Sequence, residues 1–324
     1  MKIGVTGASG HTGNNLVRKL MHEDHQVRIF VRKDPGIFKD LSPEVATGDM
    51  TDAGAVADFV RGLDAVYHLA AKIFIDGRHS RDYFRQNVEG TRIILDAVRK
   101  AGVKRFIYFS SIHAYDHCPV DQPMDETRPL VTRDRYLYNR SKALCQQMVL
   151  EAFRNGLDGV VLNPTAIIGP GDYKPSLLGQ AIIRMAKKQL PGLVPGGYDW
   201  VDVRDVTQAA VSALTRGDKE DYIISGHWRS LADLYAEVKK YTGLKKTLPV
   251  FPVWLARLGA PFLGLWSVLS GREPLYTQGS ITFLKNSNRH MSHAKATRGL
   301  GYRPRPFETT VKDTIEWFEK MKMI

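Results

Sequence analysis

The first half of the chain alternates between two hydrophobic patterns. Short runs of apolar, often β-branched residues are separated by longer segments whose apolar positions recur at helical spacing. This alternation is typical of a parallel, doubly wound α/β sheet. The pattern predicts strands at Lys2–Thr6, Gln26–Val31, Glu44–Thr47, Ala65–His68, Arg105–Phe109 and Gly159–Leu162. It predicts helices at Gly13–Met21, Asp52–Arg61, Tyr83–Ala101 and Arg135–Asn155.

The alternation loosens after Asn163, where prolines and glycines recur as they do in loops. Further helices are predicted at Leu177–Lys188, Val203–Thr215, Leu231–Tyr241 and Phe307–Met321. We expect residues 1–163 to form a Rossmann-type domain, with residues 201–216 returning to it. Residues 164–324 should form mainly a smaller, mixed α/β substrate-binding lobe. It would cover the C-terminal edge of the sheet, where ligands of doubly wound folds bind.

A glycine-rich turn connects the first predicted strand to the first helix, with Gly7, Gly10 and Gly13 spaced as G-x-x-G-x-x-G. Glycines let the backbone turn sharply and approach a pyrophosphate, whose charge suits the free N–H groups at a helix N-terminus. The spacing differs from the commoner G-x-G-x-x-G, and an ordinary βα turn is the alternative. Its position between strand and helix favours dinucleotide binding. The remaining predicted contacts in this turn are Ser9, His11 and Thr12.

The end of the second strand distinguishes NAD from NADP. An acidic residue there binds the ribose hydroxyls of NAD, whereas a basic residue accommodates the 2′-phosphate of NADP. Arg32 and Lys33 occupy this place, and Asp34 follows too late. Because a guanidinium pairs bidentately with phosphate, Arg32 is the first candidate, and NADP is favoured. A solvent-facing loop arginine is the alternative.

A candidate catalytic group combines Ser111, at the end of a strand, with Tyr138 and Lys142 on the following helix. The tyrosine and the lysine are four residues apart and so share one helix face. A tyrosine with its ordinary pKa near 10 is a poor acid–base group at neutral pH, but a neighbouring ammonium lowers that pKa. We therefore predict general acid–base chemistry at Tyr138.

Tyr-x-x-x-Lys alone is a weak signal, because Tyr235/Lys239 and Tyr241/Lys245 match it as well. Neither pair has a serine-bearing strand just upstream, and we interpret both as helix-surface pairs. Only Tyr138/Lys142 combines with the serine and with the glycine-rich first turn.

Composition limits the possible functions. The 324 residues are 43% hydrophobic and 25% charged, as in ordinary soluble proteins. The first strand starts so early that we expect no signal peptide. The two cysteines, Cys118 and Cys145, form no C-x-x-C pair, so we expect no zinc site and favour a reducing, cytoplasmic setting. The net charge of +12 is scattered along the chain, which fits a solvated surface or attraction of anionic ligands rather than nucleic-acid binding.

One apolar stretch, Pro249–Leu269, approaches the length of a membrane span. Prolines, glycines and Arg257 interrupt it, so we expect no integral membrane segment. A protein-packed helical segment of the substrate-binding region is the favoured interpretation, and peripheral membrane contact is the alternative.

These features resemble the extended short-chain dehydrogenase/reductase superfamily over nearly the whole chain. The motifs that carry the resemblance are Gly7, Gly10 and Gly13; Gly48-Asp49-Met50; His68-Leu69-Ala70-Ala71; Asn87 to Thr91; Ser110-Ser111; Tyr138 to Lys142; Asn163-Pro164-Thr165; Gly169 to Asp172; and Val201 to Val206. Within its NAD-dependent epimerase/dehydratase family, the run from Val27 to Pro35 is similar to the dihydroflavonol reductase-type branch, which uses NADPH. Asn163 to Thr165 and Tyr173 to Ser176 are also similar to a hopanoid-associated sugar epimerase-like group.

The resemblance implies several roles. Asp49 would hydrogen-bond the adenine, and Lys142 would hold the nicotinamide ribose. Ser111 is preferred to Ser110 because it precedes Tyr115 by four residues. The cofactor site would also include Met50, Ala70, Ala71, Pro164 and Thr165. His113, Tyr115 and Asn163 are assigned to the substrate pocket, although surface-loop histidines are the alternative. A homodimer through the helices near Tyr83–Ala101 and Arg135–Asn155 is also implied.

Our main hypothesis is an NADPH-dependent reductase of a ketone or aldehyde, dihydroflavonol reductase-like. Tyr138 would protonate the substrate oxygen, Ser111 would position it, and hydride would come from the pro-S face usual in the superfamily. A sugar-nucleotide epimerase or dehydratase is the alternative. Against it, Asn163-Pro164 replaces the Arg-Pro of many such enzymes, and only Arg184 and Arg272 remain as candidates for the diphosphate. A non-catalytic NADP(H) sensor is the third hypothesis, which the intact Tyr138 and Lys142 disfavour.

Overall fold

The computed structural model describes residues 1–74, 80–255 and 278–324. Its strands are β1 (Lys2–Thr6), β2 (Gln26–Val31), β3 (Glu44–Thr47), β4 (Ala65–His68), β5 (Arg105–Phe109), β6 (Gly159–Pro164), β7 (Ala166–Ile168), β8 (Gly197–Asp202), β9 (Asp221–Ile224) and β10 (His227–Ser230). The first five coincide with the predicted strands, and β6 extends two residues beyond its prediction.

The described helices follow the predictions closely in the first half of the chain. They are α1 (His11–His22), α2 (Ala53–Val60), α3 (Ser80–Lys100), α4 (Leu137–Arg154), α5 (Leu177–Ala186), α6 (Val203–Ser212), α7 (Leu231–Thr242), α8 (Gln278–Lys285), α9 (Ala294–Leu300) and α10 (Phe307–Lys320). A short 3₁₀ helix covers Ile112–Ala114. Among these, α8 and α9 were not predicted. The predicted segment Pro249–Leu269 lies mostly outside the described residues, and none of the described helices is long and apolar enough to cross a membrane.

Seven parallel strands form the main sheet, in the order β3-β2-β1-β4-β5-β6-β9. The direction of the strand order reverses between β1 and β4. In doubly wound sheets the crevice at such a reversal, beyond the carboxyl ends of the strands, binds the ligand. The glycine-rich turn after β1 lies at this point.

Helices cover both faces of the main sheet, which confirms the predicted doubly wound fold. On one face α1 and α6 pack together, with Leu16, Leu20 and Val206 buried in a shared core. On the other face α2, α3 and α4 bury a second apolar core that includes Phe59 and Phe153. Strands β4, β5 and β6 are buried along their whole length because both of their faces are covered.

A second, three-stranded sheet forms the smaller mixed lobe, in the order β10-β8-β7. Strand β10 pairs antiparallel with β8, whereas β7 pairs parallel with it. Helices α5, α7 and α10 pack against this sheet around a third apolar core. The last residue of β8, Asp202, directly precedes α6 on the main sheet, so the chain crosses between the two sheets at that residue.

Candidate active site

The turn between β1 and α1 is packed too tightly for any residue but glycine at two positions. Gly7 adopts a φ of 73°, and a Cβ there would lie 2.8 Å from the Ala70 nitrogen at the end of β4. A Cβ on Gly13 would lie 2.2 Å from the Gly7 carbonyl oxygen. The first helix therefore starts directly against the end of the first strand. This close approach is the arrangement that a dinucleotide pyrophosphate requires.

Helix α1 begins without a side-chain cap, because Gly10 occupies its N-cap position. The N–H groups of a first helical turn lack intrahelical partners and favour an anion. Ser9 and Gly10 are exposed, and Thr12 is half-buried. The His11 side chain is engaged elsewhere, since its Nε2 lies 3.0 Å from the Pro170 carbonyl oxygen. The turn thus fits the pyrophosphate through backbone groups.

The end of β2 presents basic side chains to solvent. Arg32 and Lys33 are exposed. The carboxylate of Asp34 accepts a hydrogen bond from the Gly36 backbone N–H at 2.9 Å, in an Asx turn. Asp34 is therefore used locally, while the two basic residues remain available for a phosphate.

Asp49 and Lys72 lie close to Arg32. Asp49 accepts hydrogen bonds from the Thr51 backbone N–H and hydroxyl, which lower the pKa of its carboxyl; the charges of Arg32 and Lys72 lower it further. Burial lowers the pKa of Lys72, and the charge of Arg32 adds to this effect. Sequence reasoning did not single out Lys72, which follows the predicted Ala70 and Ala71 directly. The three predicted neighbours Met50, Ala70 and Ala71 flank the same crevice, half-buried or exposed.

Ser111, Tyr138 and Lys142 come together as predicted, at the carboxyl end of β5. All three side chains are at most 8% exposed. The Ser111 side chain lies close enough to the Tyr138 hydroxyl to favour its ionised form. Lys142 donates a hydrogen bond from Nζ to the Phe109 carbonyl oxygen at 3.1 Å. The Ser111 hydroxyl also accepts the His113 backbone N–H at 3.2 Å. The neighbouring Ser110 hydroxyl is buried and has no hydrogen-bond partner among the described residues, whereas Ser111 interacts with Tyr138.

Burial dominates the acid–base properties of this group. It raises the pKa of Tyr138 to about 12, although the interaction with Ser111 acts in the opposite direction; the expected lowering of this pKa by the neighbouring ammonium is therefore wrong, because burial outweighs it. Burial lowers the pKa of Lys142 to about 8. His68, at the end of β4, is buried as well, and burial and the charge of Lys142 lower its pKa to about 3. At neutral pH Tyr138 is therefore a protonated phenol beside a mostly charged lysine and a neutral histidine.

Two aromatic rings contact the Tyr138 side chain, and two further rings pack beside them. Its ring centroid lies 5.8 Å from that of Phe74 and 6.1 Å from that of His113. The Phe283 ring of α8 lies 4.9 Å from His113 and 4.7 Å from Tyr136. We call Phe74, His113, Tyr136 and Phe283 the aromatic wall. Of these residues, only His113 was predicted.

Two predicted substrate residues make contacts away from this wall. The Tyr115 hydroxyl is buried and hydrogen-bonds the Asp221 carboxylate. The Asn163 side chain is fully buried and donates to the Tyr115 hydroxyl at 3.3 Å, and Gln146 donates to the same hydroxyl at 3.1 Å. These contacts favour a structural role for Tyr115 and Asn163, behind the catalytic group.

The predicted residues Pro164 and Thr165 lie where the main sheet meets the smaller lobe. Pro164 ends β6 and is buried. Thr165 donates from its hydroxyl to a carboxylate oxygen of Asp199 at 2.7 Å. The buried Asp199 also accepts the Gly226 backbone N–H, and burial raises its pKa to about 6.

The two other Tyr-x-x-x-Lys pairs lie on α7 and just after it, in the smaller lobe. Tyr235 donates to the Lys246 carbonyl oxygen at 2.8 Å, and Lys239 donates to the Thr247 hydroxyl at 3.3 Å. These contacts are local to α7 and its following loop, but Tyr235 is buried in the core of the smaller lobe, so the expectation of a helix-surface pair is wrong for that tyrosine. Arg184 lies on α5, and Arg272 lies outside the described residues.

Comparisons with known proteins agree with this geometry. The sequence model of the NAD dependent epimerase/dehydratase family matches residues 3–225. Sterol demethylase protein B of Methylococcus capsulatus is 32% identical over 99% of both chains. A Synechocystis protein provisionally named a dihydroflavonol 4-reductase is 32% identical over 97% of this chain and 94% of its own. The crystal structure of gox2253 is 31% identical, with a TM-score of 0.85 over 99% of both chains.

Proposed function

This chain belongs to the NAD-dependent epimerase/dehydratase family, within the extended short-chain dehydrogenase/reductase superfamily, and we propose that it is an NADPH-dependent reductase of a ketone or aldehyde. The observation that carries the proposal is the Ser111–Tyr138–Lys142 group beneath the aromatic wall. Aromatic rings around the reacting position favour an apolar, ring-bearing substrate over a sugar nucleotide. The names of the two relatives refer to ring compounds, a sterol and a dihydroflavonol, which is consistent with this preference.

The residues of the crevice fit a nicotinamide dinucleotide. The first turn of α1 would hold the pyrophosphate, and Arg32 with Lys33 would hold the 2′-phosphate of NADP. Lys142 would bind the nicotinamide ribose. When bound, the cofactor supplies the hydride for the carbonyl carbon.

The side chains supply the proton and the orientation. Tyr138 donates its phenolic proton to the substrate oxygen, because its pKa of about 12 keeps it protonated at neutral pH. Ser111 donates a second hydrogen bond to the same oxygen and fixes its position. The charged Lys142 stabilises the phenolate that forms when Tyr138 loses its proton. Phe74 and Phe283 exclude water from the reacting position.

The first test measures NADPH consumption over a panel of aldehydes, ketones and dihydroflavonols, with Tyr138→Phe as the variant. The substitution removes only the hydroxyl, so we expect turnover to fall by about 10²–10⁴-fold, as for loss of a general acid. Tyr241→Phe is the matched control, since Tyr241 belongs to a Tyr-x-x-x-Lys pair of the smaller lobe, and should retain full turnover.

Two outcomes would contradict the reductase. Turnover of Tyr138→Phe within a few-fold of the unaltered protein would remove Tyr138 from the mechanism. Cofactor that stays bound through purification, with no net NADPH consumption, would instead favour the sugar-nucleotide epimerase or dehydratase. Tight NADP(H) binding without any turnover, unaffected by Lys142→Ala, would favour a sensor.

We also propose a cytoplasmic homodimer that pairs through α3 and α4. The two cysteines, exposed Cys118 and buried Cys145, are unpaired, which supports a reducing compartment. Light scattering tests the dimer, because a mass of 36.4 kDa, that of a single chain, would exclude it.

A further inference from the structure

Three large apolar side chains are exposed close together on the smaller lobe. Val250 is 52% exposed, Trp254 is 64% exposed and Leu255 is 41% exposed. Single exposed apolar residues are ordinary on protein surfaces, but a group that includes an exposed tryptophan marks an interaction site. Tryptophan is also the residue that prefers the boundary between water and a lipid bilayer.

This segment is held to the lobe by its backbone. The Leu193 N–H donates to the Pro249 carbonyl oxygen at 2.8 Å, and the Phe251 N–H donates to the Leu193 carbonyl oxygen at 2.8 Å. Leu193 and the neighbouring Leu248 are buried in the core of the lobe. The exposed side chains therefore project from a fixed base.

Lysines are frequent in the sequence segments that adjoin these apolar residues. The sequence from Val238 to Leu255 contains no Asp or Glu, and the one from Tyr173 to Tyr198 contains none either. The lysine cluster consists of Lys187, Lys188, Lys239, Lys240, Lys245 and Lys246, of which Lys240 pairs with Glu237 at 3.4 Å. Lys187 and Lys188 follow α5 and are exposed, as are Lys240, Lys245 and Lys246.

Contacts and chain length keep the lysine cluster close to Val250. The Lys246 backbone is tied to α7 by the Tyr235 hydroxyl, and the Lys239 ammonium contacts Thr247. Lys246 is four residues from Val250, so the two can lie at most about 14 Å apart. Lys188 can lie at most about 18 Å from Leu193, and Leu193 pairs with Val250.

We propose that the lysine cluster and the three apolar side chains together bind the anionic surface of a lipid bilayer. Lysines attract anionic headgroups, and their alkyl stems tolerate the interface. Trp254, Leu255 and Val250 insert at the boundary between headgroups and acyl chains. A nucleic acid would use the charges but not the aliphatic side chains, so the combination favours a membrane.

The surface borders the proposed substrate site through α8. Phe283 of that helix belongs to the aromatic wall. The following residue, Leu284, packs against Gly196, since a Cβ on Gly196 would lie 2.6 Å from the Leu284 carbonyl oxygen. Gly196 lies three residues after Leu193. An apolar substrate dissolved in the bilayer would thus be close to the pocket, although membrane binding itself does not depend on the proposed reductase activity.

The test is co-sedimentation of the full chain with phosphatidylcholine vesicles, prepared with and without phosphatidylglycerol. We expect binding only to the vesicles that contain phosphatidylglycerol. Binding should weaken as ionic strength rises from about 0.1 M to 1 M, because the Debye length then falls from about 10 Å to about 3 Å. The variant Lys187→Gln/Lys245→Gln/Lys246→Gln should bind about 100-fold more weakly, at about fivefold per lysine.

The matched control changes three exposed lysines elsewhere, Lys39→Gln/Lys100→Gln/Lys320→Gln, which alters the net charge equally. It should bind within a few-fold of the unaltered chain. Equal losses in the two triple variants, or no binding of the unaltered chain to either vesicle, would overturn the proposal.

Trp254→Gln tests the apolar part separately and should weaken vesicle binding about tenfold. Soluble polyglutamate provides the comparison with an acidic protein. If polyglutamate bound as tightly as the vesicles did and Trp254→Gln changed neither affinity, the surface would belong to an acidic protein partner and the proposal would be wrong.

Discussion

Lys142 carries its charge in a buried position that little water can reach. Burial lowers the pKa of its ammonium from 10.5 to about 8, which corresponds to a cost of about 3 kcal/mol for the charged form. The unfolded chain binds this proton more tightly than the folded protein does. Between pH 8 and about pH 10.5 the contribution of Lys142 to stability therefore rises with pH. The fold keeps a destabilising charge at the position where the proposed chemistry requires one.

Replacing Lys142 should therefore stabilise the protein while inactivating it. We expect Lys142→Met to raise the free energy of unfolding at pH 7 by about 2 kcal/mol, because the charge cost of about 3 kcal/mol is offset by loss of the hydrogen bond to Phe109, worth about 1 kcal/mol. The gain should disappear above about pH 10.5, where the unfolded chain is also deprotonated. Urea unfolding at the two pH values measures this.

Lys239→Met provides the control on α7, since Lys239 is only half-buried, and should change stability by less than about 0.5 kcal/mol. A lower stability of Lys142→Met at pH 7 would show that the hydrogen bond to Phe109 outweighs the charge cost.

Arg32 should decide between the two nicotinamide cofactors. If its guanidinium pairs with the 2′-phosphate, Arg32→Ala should raise the dissociation constant for NADPH by about 10–100-fold, the value of one charge-assisted hydrogen bond or a bidentate pair. The dissociation constant for NADH should remain within a few-fold. Quenching of protein fluorescence by each cofactor measures both values.

The control is Arg99→Ala, which changes an exposed arginine at the end of α3. Equal weakening of NADH and NADPH binding by Arg32→Ala would place Arg32 elsewhere.

At the scale of elements, two glycines at the junction of β1 with α1 should have different roles: Gly13 is needed for the stability of the fold, and Gly10 for cofactor binding. A Cβ on Gly13 would overlap the backbone of Gly7, so Gly13→Ala should lower the free energy of unfolding by about 1–3 kcal/mol, as overpacking does. A Cβ on Gly10 would lie 3.4 Å from the Gly7 carbonyl oxygen, which is an ordinary contact distance. Gly10→Ala should therefore keep its stability and lose only cofactor affinity. Urea unfolding without cofactor and fluorescence titration with it compare the two variants. Similar stabilities for both would mean that α1 can move away from β1.

The elements that sequence analysis predicted are those with strong local patterns. Strands β1, β2, β4 and β5 are short apolar runs buried between two helical layers. A run of consecutive apolar residues is visible in the sequence, so these strands could be predicted locally. Strand β10, by contrast, is half-buried throughout and reads His-Trp-Arg-Ser. Its pairing with β8 depends on a partner thirty residues away, which no local pattern reveals.

The candidate site divides in the same way. Tyr138 and Lys142 share one helix face, so their association could be predicted from spacing alone. The aromatic wall could not be, because Phe74 contacts Tyr138 and Phe283 contacts His113 from positions far apart in the sequence, and neither phenylalanine belongs to a motif. The contact of Tyr115 with Asp221 likewise spans more than a hundred residues. Positions defined by a motif were predictable, whereas the shape of the pocket depends on tertiary packing.

At the scale of the whole molecule, buried charges join the two sheets where the chain crosses between them. Asp202, at the end of β8, is 2% exposed and caps α6. Its carboxylate accepts hydrogen bonds from the Arg204 side chain at 2.7 and 2.9 Å, and it forms an ion pair with Arg305 at 3.6 Å. Arg204 also pairs with Asp313 of α10. One carboxylate thus connects the main sheet to the helices of the smaller lobe.

Removing that charge should weaken the whole fold rather than one element. We expect Asp202→Asn to lower the free energy of unfolding by about 1.5–3 kcal/mol, because Arg204 loses its charge-assisted hydrogen bonds to Asp202, although Arg204 keeps its pair with Asp313 and Arg305 keeps its pair with Asp205. Asp313→Asn is the matched control: Asp313 is more exposed and its pair with Arg204 should contribute about 1 kcal/mol or less. Urea unfolding followed by tryptophan fluorescence and by circular dichroism measures the loss.

Coincident transitions are expected from the two probes, since the sheets share this junction. If Asp202→Asn and Asp313→Asn lost equal stability, the carboxylate would be only a local helix cap, and packing between α1 and α6 would be what holds the two parts together.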